Sequence, residues 1–430
     1  MDQLGRRIEP FRGLLYNPER AGPLREVIAP PYDLIDAAMQ ERLYQRSPYN
    51  VVRLELARDP DRYAASAKAL AAWNKDGVLT RAARPAIYLY KQRFAIQGRT
   101  LERSGFIVRL RLEKFASGRI LPHERTFPAA KEDRLRLLTA TETNISSIFG
   151  LYAGRYPELD ALRARVAARE PLLAATDDLK IENELRAIVD ASEIKTIRDA
   201  LDAPRILIAD GHHRYETALE YSQRRRAADG NHADARPYDY ALMTLVAWDD
   251  PGLVILATHR VVKRLGAEAL ASFAARVAEQ FEVEEISDRD RLRERLKDAG
   301  NGAIAVALRN YPSWRLSRLK DRAAMESILP KTPQAVRELD VSILHGAILE
   351  RIFGIGPEQV RAGGNIDYTI NFDGALDTVA RGEADGAFLM NPPSIRDVER
   401  VSDAGATMPE KSTYFFPKLA TGLVMNPVYD

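Results

Sequence analysis

The chain has no cysteine. That single absence removes disulfides, thiolate metal sites, iron–sulfur clusters and cysteine nucleophiles. The common nucleotide fingerprints are missing as well: there is no G-x-x-x-x-G-K-[ST] and no G-x-G-x-x-G. No apolar run approaches the ~20 residues needed to cross a bilayer. The opening stretch "MDQLGRRIEPFRGLLYNPER" carries mixed charge where a signal peptide would be apolar. A soluble, cytoplasmic protein is therefore expected. Charge of one sign is also lacking, since 63 Lys and Arg nearly cancel 61 Asp and Glu. Neither a nucleic-acid nor a membrane partner is expected on that ground.

Internal repeats and Gly/Ser linkers are absent too, so domain boundaries must come from changes of pattern. At 430 residues the chain is long enough for two or three domains. "REVIAPPYDLID" (25–36) reads as a short strand broken by prolines, with Asp33 or Asp36 capping the next helix. "NVVRLEL" (50–56) alternates like a strand, and 60–76 reads as a helix. "AIYLYKQRFAI" (86–96) and "SGFIVRLRLEKF" (104–115) read as an antiparallel pair. Residues 156–200 look helical, with a strand-like break near "LKIENE". "RILIAD" is too short for a helix and reads as a buried strand, and 238–262 reads as two strands around Asp-Asp-Pro-Gly. The character changes near 265, after which amphipathic helices alternate with strands such as "AIAVAL", "SWRLSRL" and "IDYTINF". The fold class expected is α+β.

What is present in concentrated form is "ILIADGHHRYETALEY" (206–221), which spends two of only six histidines side by side. A buried strand would deliver Asp210 and Gly211 to a sharp turn, where glycine permits positive φ. A helix would begin near His212, with Tyr215, Ala218 and Leu219 on its apolar stripe. Unsatisfied N–H groups and the positive end of the dipole make that first turn an anion site. Cations such as Arg214 are badly placed there unless an anion is bound, in which case a guanidinium can grip phosphate. Asp210 could hold magnesium or orient a histidine. The same residues also fit a plain reading, in which Asp210 caps the helix and the histidines sit half exposed. A metal held by both histidines is disfavoured, because adjacent helical residues point about 100° apart.

Other polar clusters add to the theme. "LPHERTFPAAKEDRLRLLTATETNIS" brings His123, Glu124, Arg125, Lys131, Arg134 and Asn144 into one short stretch. It lacks the second histidine of a zinc-protease helix. "MPEKSTYFFPK" (408–418) holds Lys411, Ser412 and Thr413 between prolines and aromatics, and Lys411 is either a phosphate contact or a surface lysine. "THR" (258–260) places His259 and Arg260 at a strand end as further anion-binding candidates.

The ordered series "APPYD" (29–33), "SPYNVVRLEL" (47–56), "HERTF…KEDRLRLL" (123–138), "ADGHHRYETAL" (209–219), "THR" and "MPEKSTYFFPK" resembles the family called domain of unknown function 1015. Asp210-Gly211-His212-His213-Arg214 further resembles the signature of the ParB/sulfiredoxin-like fold, especially its free-serine kinases. The resemblance implies a mixed-sheet core over 1–264 with a large insertion at about 60–200. An additional C-terminal α/β domain would fill 265–430, with 408–418 returning to the active site. It implies an ATP- or ADP-dependent kinase, with Mg²⁺, acting on the hydroxyl of free L-serine or a similar small molecule. Catalytic roles then fall to Glu55 (as general base, with Glu26 and Asp33 as weaker alternatives), Asp210 and His213, with Asp210 also on the metal. Gly211, His212 and Arg214 would cradle the nucleotide, joined by His259, Arg260 and Lys411. Arg53, His123, Arg125 and Ser412 would hold the acceptor. A nucleotide-driven regulatory switch related to ParB is the alternative, and a homodimer is left open. Sulfiredoxin chemistry is excluded for want of cysteine.

Overall fold

The computed structural model describes residues 6–230 and 234–429. They form two compact units: residues 6–122, 126–254 and 417–429 make the first, and 123–125 with 255–416 the second. Among the described residues no helix is long and apolar enough to cross a membrane.

The first unit is built on a mixed sheet. Its strands run, across the sheet, Ile120–Leu121, Ile206–Asp210, Ile148–Tyr152, Tyr240–Ala247, Arg99–Arg111, Ile87–Ile96, Glu182–Ile188 and Leu173–Thr176. Ile8–Glu9 pairs beside Arg99–Arg111. The long hairpin of 87–111 forms as its alternation dictates, because Gln97 and Gly98 both take the positive φ of a tight turn that matches the strand twist. Two pairings are parallel: Ile206–Asp210 with Ile120–Leu121, and Tyr240–Ala247 with Ile148–Tyr152. The strand before the signature is therefore flanked on both sides and buried, with Ile206 and Ile208 wholly inaccessible. Burial explains why it reads as an unbroken apolar run instead of alternating.

Two local expectations are corrected. "VRLE" within 50–56 is a helical turn, Val52–Glu55. Val52, Leu54 and Glu55 are all buried, so the alternation of apolar residues came from a turn enclosed on more than one side. "LREV" (24–27) is likewise helical and not a strand. Asp36, not Asp33, caps the following helix, accepting from Met39 N at 2.7 Å.

The second unit carries an antiparallel sheet in the order Phe281–Ile286, Trp314–Leu319, Ala303–Leu308, Gly386–Met390, His259–Val262 and Ile366–Thr369. Helices Ala267–Gln280, Arg289–Ala299 and Phe372–Ala380 pack on it. One helix of this unit is a composite: a turn at Asp340–Ile343, a π-helical segment at Leu344–Glu350 and a last turn at Arg351–Phe353.

Candidate functional site

The signature sits where its sequence suggests, at the exit of a buried strand into the helix His212–Ala228. Tyr215 and Ala218 bury the helix in the unit's core. Tyr215 is fixed further by hydrogen bonds linking its hydroxyl to the Glu113 backbone, at 2.8 and 2.9 Å. One residue before the turn the strand pairing slips: Ile208 lies opposite Gly150 and Asp210 opposite Phe149, with Ala209 as the extra residue. Such bulges re-aim the side chain that follows.

Gly211 takes φ 92°, and a Cβ there would lie 2.9 Å from Nε of Arg214. Both constraints call for glycine. The turn folds the Arg214 guanidinium back against the backbone. Its Nη2 donates to Oδ2 of Asp210 at 2.6 Å and its Nη1 to the Ser147 carbonyl at 2.5 Å. Lys418 pairs with the other oxygen of Asp210, Oδ1. Burial alone would raise the Asp210 carboxyl, but the Lys418 ammonium and Arg214 guanidinium outweigh it and hold the acid well below the usual carboxylate range. The N-cap position itself is Gly211, which has no side chain to cap the helix.

This changes two expectations. Asp210 as a metal ligand does not fit the residues as placed, because both oxygens already face cations that would repel a divalent ion. Among the described residues no group of three or more His, Asp or Glu could hold a metal. The fork of Arg214 is closed on the protein and not open for bidentate phosphate binding; its Nε is buried without a partner.

A second ionic cluster lies in the same unit. Glu55, on its buried turn, accepts from Nη1 of Arg134 at 2.8 Å, with both side chains about 5 % exposed or less. Arg134 also donates through Nε to Asp133 at 2.8 Å, and its guanidinium lies 4.2 Å from the Tyr32 ring centroid. Asp133 is held in turn by Tyr63 at 2.8 Å and by Arg62. Burial pushes the Tyr32 phenol up to about 12, with Arg214 and Arg134 opposing it. Glu55, Arg134, Asn144, Ser146 and Arg214 line one cavity of about 50 Å³. That is room for a few waters or the end of a small molecule. The structure therefore brings the expected base, Glu55, and Arg214 to one cavity.

The remaining expected residues divide. His212 is buried and adds to the positive field on Asp210. His213 accepts the Phe127 N–H through Nε2 at 2.9 Å and stacks on that ring. Arg53 spends its guanidinium on the Tyr44 and Ser47 carbonyls, at 2.7 and 3.3 Å, closing the C-terminus of the preceding helix. The others belong to the second unit. His123 pairs with Thr413 at 3.0 Å and Arg125 with Thr407 at 3.2 Å, so both hold the 407–416 segment. Ser412 donates to the Pro409 carbonyl, while Lys411 is exposed. Arg260 is fully buried, donating to the carbonyls of Thr258, Glu410 and Lys411. His259 is buried on its strand, accepting from Met390 N at 3.3 Å through Nδ1.

Burial, with Arg260 adding to it, holds His259 down to about 4. It is neutral at pH 7 and so adds no positive charge to attract an anion. The unfolded chain takes up this proton near pH 6.5, so the stability His259 contributes is present above that pH and lost as pH falls towards 4, about 3 kcal/mol in all. His345 acts in the same direction, being held down to about 3. Asp340, pushed up to about 7 by burial, opposes both, because its contribution is lost as pH rises from about 4 to 7. His259→Gln separates these contributions: the gap in urea stability between variant and wild type is expected to narrow from pH 7 to pH 4.5. An unchanged gap would mean that His259 is not held neutral.

Sequence reasoning missed Lys418, Arg134 and Tyr32 as members of the site. All three lie inside the quoted motifs. Lys418 ends "MPEKSTYFFPK", but Lys411, beside Ser412 and Thr413, drew the attention. Nothing in residue spacing says that the chain re-enters the first unit at 417.

A mixed-sheet α+β unit with a half-buried, cation-flanked aspartate at a strand-to-helix turn is what the fold and site define. The chain belongs to the family of proteins of unknown function DUF1015, whose model matches residues 8–342. Among solved structures it is similar to a free serine kinase variant in complex with AMP, at 14 % identity and a TM-score of 0.36, covering 72 % of this chain and 87 % of that one. A free serine kinase variant in complex with ADP has 13 % identity and a TM-score of 0.36 over the same shares. A conserved hypothetical protein from Pyrococcus furiosus has 13 % identity and a TM-score of 0.34, covering 73 % and 92 %. No curated protein matches the sequence.

Proposed function

We propose that the first unit, a ParB/sulfiredoxin-like core, binds a nucleotide, ATP or ADP, at the signature turn and transfers a phosphoryl group to the hydroxyl of L-serine or a similar small acceptor. The observation that supports this is the half-buried Asp210–Arg214–Lys418 cluster at the start of the signature helix. Together with the Glu55–Arg134–Asp133–Arg62 cluster it sets four cations against three carboxylates. The excess positive charge and the helix dipole both favour an anionic ligand. Phosphoryl transfer needs positioned phosphates, charge neutralisation and a carboxylate to accept the hydroxyl proton. Lys418 and the first turn of the helix supply the first two, Arg214 adds its positive charge from behind the turn, and Glu55 supplies the third.

The 50 Å³ cavity is too small for a nucleotide, so it suits the acceptor end of the reaction. The regulatory-switch reading draws on a specific observation of its own: the Glu55 carboxylate is already tied to Arg134, as in a site that binds without turning over. One experiment separates them. Purified protein is incubated with Mg²⁺ and ATP or ADP, with and without free amino acids, and phosphoamino acids are sought by mass spectrometry. Phosphoserine that depends on nucleotide supports the kinase. Nucleotide binding with no phosphorylated acceptor supports the switch.

Lys418→Met is expected to weaken nucleotide binding by about ten- to a hundredfold, the loss of one charge-assisted contact in a buried site. Lys411→Met, on the exposed lysine of the same motif, is expected to leave it unchanged. Calorimetric titration of both variants checks the assignment, and the reverse ranking would move the phosphate contact to Lys411.

A further inference from the structure

The second unit contains a larger cavity, of about 580 Å³, that the proposed function does not use. Its volume lies within the range typical of small-molecule sites. It is built against the composite helix of 340–353, and two of its lining residues, Ser342 and His345, stand three apart there and so share a face. Ser342 is 3 % exposed, yet its hydroxyl has no hydrogen-bond partner, and neither has Nε2 of His345. Buried polar atoms left unpaired are uncommon, because each costs its full desolvation. Here two of them line the same cavity. The π-helical segment that begins at Leu344 sets His345 in its wide turn, and such segments are frequent at functional sites.

The charges around the cavity favour an anion. Arg125, Lys331 and Arg361 line it against Glu350 and Glu410. Behind it, the buried Arg260 guanidinium lies 5.3 Å from the ring centroid of Tyr368, another lining residue, and adds to the burial that holds His345 neutral. A neutral histidine and a serine hydroxyl can both donate to an oxyanion, while Arg260 stabilises it through space. Part of the lining is hydrocarbon: Leu329, Val336, Ile355 and Val360. Phosphate alone would waste that surface, and a neutral hydrocarbon would leave Ser342 and His345 unpaired.

We infer that this cavity binds a small organic carboxylate with an apolar body, its carboxylate on Ser342 and His345 and its hydrocarbon against Leu329, Val336, Ile355 and Val360. The site belongs to the second unit and is independent of the nucleotide reading of the first.

The test uses the full chain and three probes titrated calorimetrically: hexanoate, hexan-1-ol and acetate. Hexanoate should bind saturably, at least about tenfold more tightly than either of the others, since each lacks one of the two recognised parts. Ser342→Ala should weaken hexanoate by about fivefold or more, the scale of one buried hydrogen bond. Arg361→Glu, on an exposed residue whose replacement spares the fold, should weaken it as well. Lys418→Met, in the other unit, should leave it unchanged whether or not nucleotide binds. Absence of saturable hexanoate binding, equal affinity for hexan-1-ol, or full affinity in either of the Ser342 and Arg361 variants would overturn the inference.

Discussion

Glu55→Gln is expected to leave nucleotide binding unchanged and to lower phosphoryl transfer by about two to four orders of magnitude, the usual scale for loss of a general base. The expectation rests on geometry. Glu55 lines the same cavity as Arg214, and among the described residues the protein's own donors reach only its Oε2 and its backbone carbonyl. Its side chain is thus held at one oxygen while the residue still faces the space where an acceptor hydroxyl would lie. Glutamine keeps the size of the side chain and can still accept from Arg134, so the turn Val52–Glu55 should persist. What it lacks is the ability to take a proton. Initial rates of phosphoserine formation, with nucleotide affinity measured in parallel, decide the matter. Wild-type rates would remove Glu55 as the base. Lost nucleotide affinity would show that Glu55 acts by placing Arg134 and not by accepting a proton.

Arg134→Met is expected to destabilise the first unit by about 3–5 kcal/mol, because it leaves the buried Glu55 carboxylate without its cation. Methionine fills much of the same space, so packing contributes little to the loss. Asp133 also loses a partner, but it keeps Tyr63 and Arg62 and is more exposed, so its share is small. The double variant Glu55→Gln with Arg134→Met should recover a substantial part of the stability, since no uncompensated charge remains buried. Urea unfolding of both single variants and of the double variant measures the coupling. A cost below about 1 kcal/mol for Arg134→Met would put the pair in the class of exposed ion pairs and remove its role as an anchor.

Much of the first unit was legible because its elements obey local rules. The antiparallel pair announces itself by the alternation of 86–96 and 104–115, although the structure alone places its turn at Gln97-Gly98, and "ILIAD" by being short and wholly apolar. The helix after Gly211 follows from the glycine and from the spacing of Tyr215 and Ala218. "NVVRLEL" misled for a physical reason: alternation signals a strand only when one face is solvated, and Val52, Leu54 and Glu55 are all buried. The composite helix of 340–353 was unreadable in the same way. Its hydrophobicity fits a plain helix, and the π-helical segment depends on packing that composition does not encode.

By itself, the sequence settled the absence of cysteine chemistry, the strand-to-helix signature at Asp210–Arg214 and the family resemblance that the match over 8–342 bears out. It also specified an α+β class, which the mixed sheet of the first unit matches. Tertiary structure alone decided which side chains meet. Lys418 reaches Asp210 across 208 residues of chain, and Arg134 reaches Glu55 across 79. It also turned Arg214 inward onto Asp210 and buried His259 and Arg260 within the second unit. The reason is range. Turn geometry and periodicity are set by neighbours a few residues apart, whereas the partner of a buried charge is chosen by whichever distant segment the packing brings within hydrogen-bonding distance.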